Sequence, residues 1–388
     1  MSQKILLTIA LTVFALLSAC ALLPERFAVN TPWLQEFFAR AQAPDQATLN
    51  SKIQLLPGYS ISVFAENLGD PRMLLWVNAN LLVSTPSSRT VKLLRPNAQG
   101  THIESVETLF SDLNLPHGLE YHDGKLYIAA QNAIYQADFD SQSGVAISEL
   151  QQIASMPERG GHWTRTIKLG PDNLLYVGVG SSCNVCEEED ERRAALLTLD
   201  PNTHALEVYA SGLRNTVGWD WRPSDNALYG VDNGRDLLGD DVPPDELNRI
   251  EKDGFYGWPY LYGDNVPDPG YGDIPDPRIA EAIPPEHGFQ AHVAPLSLKF
   301  LENSLPGLEN TALVALHGSW NRSSKVGYKL VSLHWDDNDD IEERDFAVGF
   351  EENENVFGRP VDVVEGPDNA LYVSDDFAGV IYRIAFDE

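Results

Sequence analysis

The 388 residues contain only three cysteines. Two of them, Cys183 and Cys186, form a Cys-x-x-Cys pair followed by Glu187. A histidine is missing at that next position, which excludes a covalently attached c-type haem. The segment also lacks the further ligands a zinc site needs. In an oxidising compartment the pair reads as a local structural disulfide, with redox chemistry as the alternative. Positive charge is scarce too. Against 57 Asp and Glu stand 27 Lys and Arg, a formal net charge of −30. This argues against nucleic acid and anionic lipid as partners. It also means that any anionic cofactor must be held by local positive charge against a repulsive overall field. Finally, beyond the N-terminus no apolar stretch reaches membrane-spanning length.

The long apolar run that does exist is N-terminal. Met1-Ser2-Gln3-Lys4 is a short positive segment, residues 5–17 are almost unbroken apolar, and Leu17-Ser18-Ala19-Cys20-Ala21 follows. So short a run reads as the hydrophobic part of a signal peptide. Small residues ahead of a cysteine make a lipobox, so residues 1–19 are expected to be removed and Cys20 to carry lipid. An ordinary signal peptide with an incidental cysteine is the plainer alternative. Several acyl chains would anchor the protein to a membrane. Ala21 rather than aspartate after the cysteine favours the outer membrane, facing the periplasm. Residues 20–51 then read as a tether with a short helix at residues 33–38, and residues 52–388 as the folded body.

Trp, Tyr, Phe and Val are plentiful in that body, and the whole chain's 29 Gly and 25 Pro, most of them there, supply many turns, which favours an all-β fold. A turn followed by an alternating strand recurs six times. Asn78-Ala79-Asn80 leads into Leu81, His122-Asp123-Gly124 into Leu126, and Pro171-Asp172-Asn173 into Leu175-Tyr176-Val177. Pro223-Ser224-Asp225-Asn226 leads into Leu228-Tyr229, Glu309-Asn310 into Leu313, and Pro367-Asp368-Asn369 into Leu371-Tyr372-Val373. Asn and Asp suit tight hairpin turns, and Leu-Tyr-Val is a half-buried strand pattern. Six copies at a typical spacing of roughly 45–60 residues predict a six-bladed β-propeller. The interval between Leu228 and Leu313 is longer. It holds an insertion at residues 240–276, whose Tyr256-Gly257-Trp258-Pro259 is too aromatic for a mere surface excursion.

In a propeller the loops at one channel mouth converge, so a site is assembled from residues distant in sequence. Gly160-Gly161-His162-Trp163 precedes the third repeat, where His162 could present a general base. Leu213-Arg214-Asn215 holds the equivalent place before the fourth and offers a cation and an amide to an oxyanion or cofactor carbonyl. The plainer readings are a structural histidine and a salt bridge between blades. Asp232-Asn233-Gly234-Arg235 and Asp240-Asp241-Val242-Pro243-Pro244-Asp245-Glu246-Leu247-Asn248 read as a loop environment for a hard cation such as calcium, or as a solvated acidic loop. His317-Gly318-Ser319-Trp320-Asn321-Arg322 follows the fifth repeat and Gly358-Arg359-Pro360 precedes the sixth. With Arg214, Arg235 and Lys325 these form a local positive set that could converge on one anion.

The order of these motifs, with Val293-Ala294-Pro295 between them, resembles the soluble pyrroloquinoline quinone (PQQ)-dependent glucose/sorbosone dehydrogenase family over essentially residues 52–388. His317-Gly318-Ser319-Trp320-Asn321-Arg322 and Ser181-Ser182-Cys183-Asn184-Val185-Cys186 resemble its sorbosone-dehydrogenase-like branch. The resemblance implies a six-bladed propeller binding PQQ and Ca²⁺ at the channel mouth. It makes His162 the base for the substrate hydroxyl, Arg214 the residue beside the quinone carbonyls, and Asn215 a cofactor contact. It further implies calcium on the backbone carbonyls of Gly234 and Arg235, and cofactor carboxylates on Arg359 and either Arg322 or Lys325. Glu246 and Tyr256 fall where a second, structural calcium is bound. This chain departs from the pattern. Ser181 replaces an aspartate that supports the histidine, Val217 replaces a cofactor-contacting glutamine, and His292 replaces a threonine. The glucose-contacting glutamine aligns near Pro116, beside His117, so His117 and His292 become candidate substrate contacts and the sugar differs.

The leading expectation is a PQQ- and calcium-dependent dehydrogenase of an aldose or aldehyde sugar, passing electrons to a quinone or cytochrome near the membrane. A calcium-dependent lactonase-like hydrolase is the second reading. It would need carboxylates around a central metal, where this sequence places Arg214, Arg322 and Arg359. A non-catalytic binding propeller is the third.

Overall fold

The structure, a computed structural model, describes residues 42–158, 160–302, 305–336 and 338–387. Cys20 and the helix expected at residues 33–38 lie outside the described residues.

All six repeated turns bend as their residues predict. Asn78, Asp123, Asn173, Asn226, Asn310 and Asn369 each have positive φ, between 48° and 63°. Asn and Asp tolerate this left-handed conformation better than other residues with a Cβ. Each turn therefore delivers its Leu into the second strand of a blade: Asn80–Thr85, Lys125–Ala130, Leu175–Val179, Leu228–Asp232, Thr311–Leu316 and Leu371–Asp375. These strands are almost wholly buried, as expected where a sheet packs on both faces. In two turns the Tyr of the following strand reaches back. Tyr176 Oη donates to Asp172 at 3.0 Å and Tyr372 Oη to Asp368 at 3.2 Å, which ties the turn to the strand it starts.

Six antiparallel sheets of four or five strands result, the blades of a β-propeller. Blade 1 covers residues 74–110, blade 2 116–155, blade 3 167–211, blade 4 216–289 and blade 5 295–348. Blade 6 takes three strands from residues 360–386, and its fourth from the opposite end of the chain. Tyr59–Ala65 pairs with Val380–Phe386, with Ile61 opposite Ile384. This pairing closes the ring without a covalent bond. It is reinforced by Phe64, whose ring meets Tyr372 edge-on at 4.7 Å. A short helix, Gln46–Lys52, capped by Asp45 through Thr48 N at 2.7 Å, buries Leu49 against blades 5 and 6.

The insertion of blade 4 differs from its sequence reading in one respect. Asp245–Arg249 is a strand, the third of the blade, paired with Leu228–Asp232. Its acidic residues masked the pattern. Their carboxylates accept backbone and side-chain N–H groups, so they stay buried beside Leu247. The excursion proper lies between this strand and the outer strand His287–Phe289. Its aromatic core folds back onto blade 3, where Trp258 packs on Cys183 and Ala194.

Candidate active site

Antiparallel blades put two loops at the same mouth of the channel: the one before the first strand and the one after the second. The lining of the main cavity follows that rule. Arg72 precedes blade 1, His162 to Thr164 precede blade 3, Arg214 and Asn215 precede blade 4, His292 and Ala294 precede blade 5, and Arg359 precedes blade 6. After second strands come Ser87, Asn233 to Asp236 in part, His317, Trp320, Asp376 and Phe377. The cavity takes in about 1190 Å³, open solvent at its mouth included. Val217, Leu296 and Val361, from three innermost strands, form an apolar cluster, two of them lining the cavity.

His162 is oriented by Ser181. Its Nδ1 lies 3.0 Å from the Ser181 carbonyl oxygen and 2.9 Å from Oγ. Ser181 Oγ spends its own proton on the Cys183 carbonyl at 2.7 Å. Both Ser181 oxygens are then acceptors toward the ring, which assigns the proton to Nδ1 and leaves Nε2 as a lone pair. Nε2 has no protein partner among the described residues. Burial, then the charge of Arg214, pushes the imidazole well below its ordinary value, so it is neutral at pH 7. The departure at Ser181 thus keeps the histidine aimed, with a neutral group in place of a carboxylate.

Arg214 is 3% exposed and held on every side. Nε donates to Asn184 O at 2.9 Å, one terminal nitrogen to Asn233 O at 3.0 Å, and the other to Asn184 Oδ1 at 3.0 Å and Asp236 at 3.2 Å. Beside it, Asn215 Oδ1 is buried without a hydrogen-bond partner among the described residues.

Across the cavity runs a chain the sequence reading missed. Arg359 donates to His317 Nδ1 at 2.9 Å, His317 Nε2 meets Asp376 Oδ1 at 2.9 Å, and Asp376 Oδ2 accepts from Arg72 at 2.8 Å. Burial and Arg359 push His317 down to about 4. Although burial pushes the Asp376 carboxyl up, His317 and Arg72 hold it well below the usual carboxylate range. Arg72 also stacks over Trp163 at 5.4 Å. Arg72 and Asp376 lie in no conspicuous motif. Their signal was positional, one before a first strand and one after a second.

Three expected contacts do not reach the cavity. Arg322 turns to the acidic insertion, donating to the Asp240 carbonyl and pairing with Asp241 at 2.8 Å. Lys325 pairs with Glu354 at 3.2 Å. His117 is fully buried on the inner strand of blade 2, covered by Trp163, which it meets edge-on at 5.4 Å. His292 does line the cavity, its Nε2 2.8 Å from Gly239 O.

Of the residues expected near calcium, Gly234 lines the main cavity, with its N–H on Asp245 at 2.7 Å. Arg235 spends its side chain on Asp268 at 2.7 Å. Arg235, Glu246 and Tyr256 line a smaller adjoining cavity with Asp232 and Asp268. There burial and Asp232 push Glu246 up to about 8. Tyr256 Oη is already engaged with Arg249 O and Glu251 N, both at 2.7 Å. Cys183 and Cys186 are joined as a disulfide.

Fold and site together define a class: a six-bladed propeller carrying, at one mouth, a cavity with a neutral histidine on one wall and buried arginines around it. The chain belongs to the TrAA12-like family, which it matches over residues 53–260 and 276–386. An uncharacterized protein of Borreliella burgdorferi is 35% identical over 305 residues, 74% of this chain and 80% of that protein. A pyrroloquinoline quinone-dependent pyranose dehydrogenase of Coprinopsis cinerea is 27% identical over 352 residues, 73% of this chain. The chain spans about half of that relative, 48% of its length. Among solved structures, the calcium structure of the Trichoderma reesei family AA12 carbohydrate-active enzyme has a TM-score of 0.76 at 22% identity, covering 90% of this chain and 99% of that one. The holo PQQ domain of the Coprinopsis cinerea pyranose dehydrogenase has a TM-score of 0.73 at 23% identity, covering 86% and 97%. These likenesses establish the propeller.

Proposed function

We propose that the protein is a PQQ-dependent sugar dehydrogenase acting at this cavity. The observation that carries the reading is His162, a neutral imidazole lining the cavity near Arg214, with Nδ1 held by Ser181 and Nε2 without a protein partner among the described residues. The relative of Coprinopsis cinerea, a pyrroloquinoline quinone-dependent pyranose dehydrogenase, supports it.

The residues present fit such a cofactor. A flat, polyanionic quinone needs cations, an amide contact and apolar faces. The cavity offers Arg214 and Arg359, the unpartnered Asn215 Oδ1, and the rings of Trp163 and Trp320. PQQ would supply the two-electron oxidant. Arg359 and Arg72 would hold carboxylates, and Arg214 would stabilise negative charge developing on a carbonyl oxygen. His162 Nε2 would take the proton of the sugar hydroxyl while Ser181 steadies the resulting imidazolium through Nδ1. His292 and Trp320 would face the sugar.

Calcium is part of the proposal, with the carbonyls of Gly234, which lines both cavities, and Arg235, which lines the smaller one, as ligands, and Glu246 in the smaller one. The hydrolase reading finds less support. The four carboxylates lining the main cavity are each engaged: Asp70 by Ser87, Asp236 by Arg214, Asp245 by Gly234 and Ala294, and Asp376 by His317 and Arg72. They form no ring around a central metal. We also propose export, lipidation at Cys20, and attachment to the outer membrane facing the periplasm. An envelope quinone or cytochrome would then take the electrons. The sequence of residues 1–21 supports the address.

Titration with PQQ and Ca²⁺, followed by an aldose panel with a dye acceptor, tests the reading. Stoichiometric uptake with sugar-dependent dye reduction is expected. A folded protein that takes up no PQQ at micromolar concentration overturns it.

A further inference from the structure

The loop Gly180 to Glu188 is wedged between the two segments that carry the chemistry. On one side, Gly161 N donates to Ser182 O at 2.9 Å, and His162 Nδ1 rests on Ser181. On the other, Ser181 N donates to Arg214 O at 2.8 Å, and Asn184 takes two of the Arg214 guanidinium donors, through O at 2.9 Å and Oδ1 at 3.0 Å. Asn184 is fully buried, as is Ser181. Its Oδ1 also accepts Asp236 N at 2.7 Å, and its Nδ2 donates to Asp236 O at 3.0 Å. One amide side chain therefore fixes both Arg214 and the acid that pairs with it. The Cys183–Cys186 bond closes the chain around Asn184, and Trp258 of the blade 4 insertion covers it. At the root of the loop there is no slack. A Cβ on Gly180 would run into Asn215 Oδ1 and lie 2.6 Å from His162 Cβ.

From this we infer that the disulfide-closed loop is the positioning element of the active site. Asn184, inside the Cys183–Cys186 ring, is the positioning residue that aims Arg214, and Ser181, just ahead of that ring and bonded to the Cys183 carbonyl, aims His162, so one loop sets base and cation relative to each other. A local disulfide over so few residues contributes little by restricting the unfolded chain. Its consequence here is to hold Asn184 in place. The inference rests on the sugar-oxidation reading for what the two side chains do, but not for how they are held.

The test uses the full protein with Asn184→Ala, Asn184→Asp and the double variant Cys183→Ser/Cys186→Ser. A misplacement of about 1 Å costs roughly 10²-fold in rate. We expect Asn184→Ala to lose about that much in kcat, with the sugar KM shifted by less than about threefold, because Asn184 touches Arg214 and not the substrate. Asn184→Asp keeps the Oδ acceptor and should recover to within about tenfold of wild type. Independently of turnover, ¹⁵N NMR should show Arg214 Nε–H slow to exchange in wild type and fast in Asn184→Ala. It should also show His162 locked as the Nδ1–H tautomer in wild type and exchanging between tautomers in the double serine variant. Should Asn184→Ala fail to fold, the Asp and double serine variants carry the test. Unchanged Arg214 and His162 signals in every folded variant, or full kcat in Asn184→Ala, overturn the inference. Wild-type protein that binds PQQ yet oxidises no aldose overturns the functional reading instead, and the NMR signals still decide the positioning role.

Discussion

His162 and His317 line the same cavity, and both are pushed below their ordinary value by burial and a neighbouring arginine. Their wiring differs. His317 has both ring nitrogens committed, Nδ1 to Arg359 and Nε2 to Asp376. His162 commits only Nδ1, to Ser181. A histidine with no open nitrogen can orient a neighbour but cannot accept a proton from substrate without breaking a buried bond. A neutral histidine with one open nitrogen can. Around them the two walls follow suit. The blade 3 and 4 side presents a base and a guanidinium, whereas the blade 5, 6 and 1 side is a closed chain of Arg359, His317, Asp376 and Arg72.

The contrast breaks most sharply in turnover. His162→Ala should lower kcat by about 10³-fold, the usual worth of a general base, with PQQ affinity within a few-fold of wild type. His317→Asn should keep kcat within about tenfold and lose cofactor affinity through Arg359. Steady-state kinetics with a parallel cofactor titration separates the two, and equal kcat losses would erase the distinction. The acid limb sharpens it. The folded His162 titrates below the free imidazole value of about 6.5, so the base form is complete at pH 7. The rate in kcat/KM should therefore stay flat down to about pH 6.5 and fall only below it; a limb centred above pH 7 contradicts the assignment.

Next in size is a stability effect. Asp376→Asn leaves Arg72 buried without its ion partner, both groups being under a tenth exposed, and should cost about 3 kcal/mol. The sign with pH follows from the lowered carboxyl. Its contribution is complete above the unfolded value of about 3.9 and is lost as pH falls through the lower folded value. The variant should match wild type only in strong acid, as urea midpoints across pH will show. Smaller still, Arg359→Ala should weaken PQQ binding about tenfold, the worth of one charge-assisted contact. Equilibrium quenching titration measures it. Smallest are Arg322→Ala and Lys325→Ala, each within about twofold in the same titration, since their partners are surface carboxylates. A large loss in either would return them to the cavity.

The propeller was legible because its signal is local and repeated. Asn78, Asp123, Asn173, Asn226, Asn310 and Asn369 announce the same bend six times, and Leu-Tyr-Val carries the strand that follows. The same logic placed His162, Arg214 and Arg359, each just ahead of a first strand. Arg322 and Lys325 sit further along their loop, where nearby acidic side chains decide their direction. Charge alone cannot show that from sequence. The strand Asp245–Arg249 was read as loop because buried carboxylates that accept backbone N–H groups look, in sequence, like solvated ones. Arg72 and Asp376 went unread because nothing near them repeats. Their partnership spans 304 residues and exists only because the last blade meets the first.

Everything at this cavity turns on whether His162 removes the proton as a sugar is oxidised by bound PQQ. The most direct measurement is single-turnover reduction of the bound quinone by excess aldose, monitored by absorbance, in wild type and His162→Ala at equal cofactor loading. Rapid reduction in wild type, slowed about 10³-fold in the variant, is the expected result. Reduction at the same rate in both proteins would remove His162 from the chemistry.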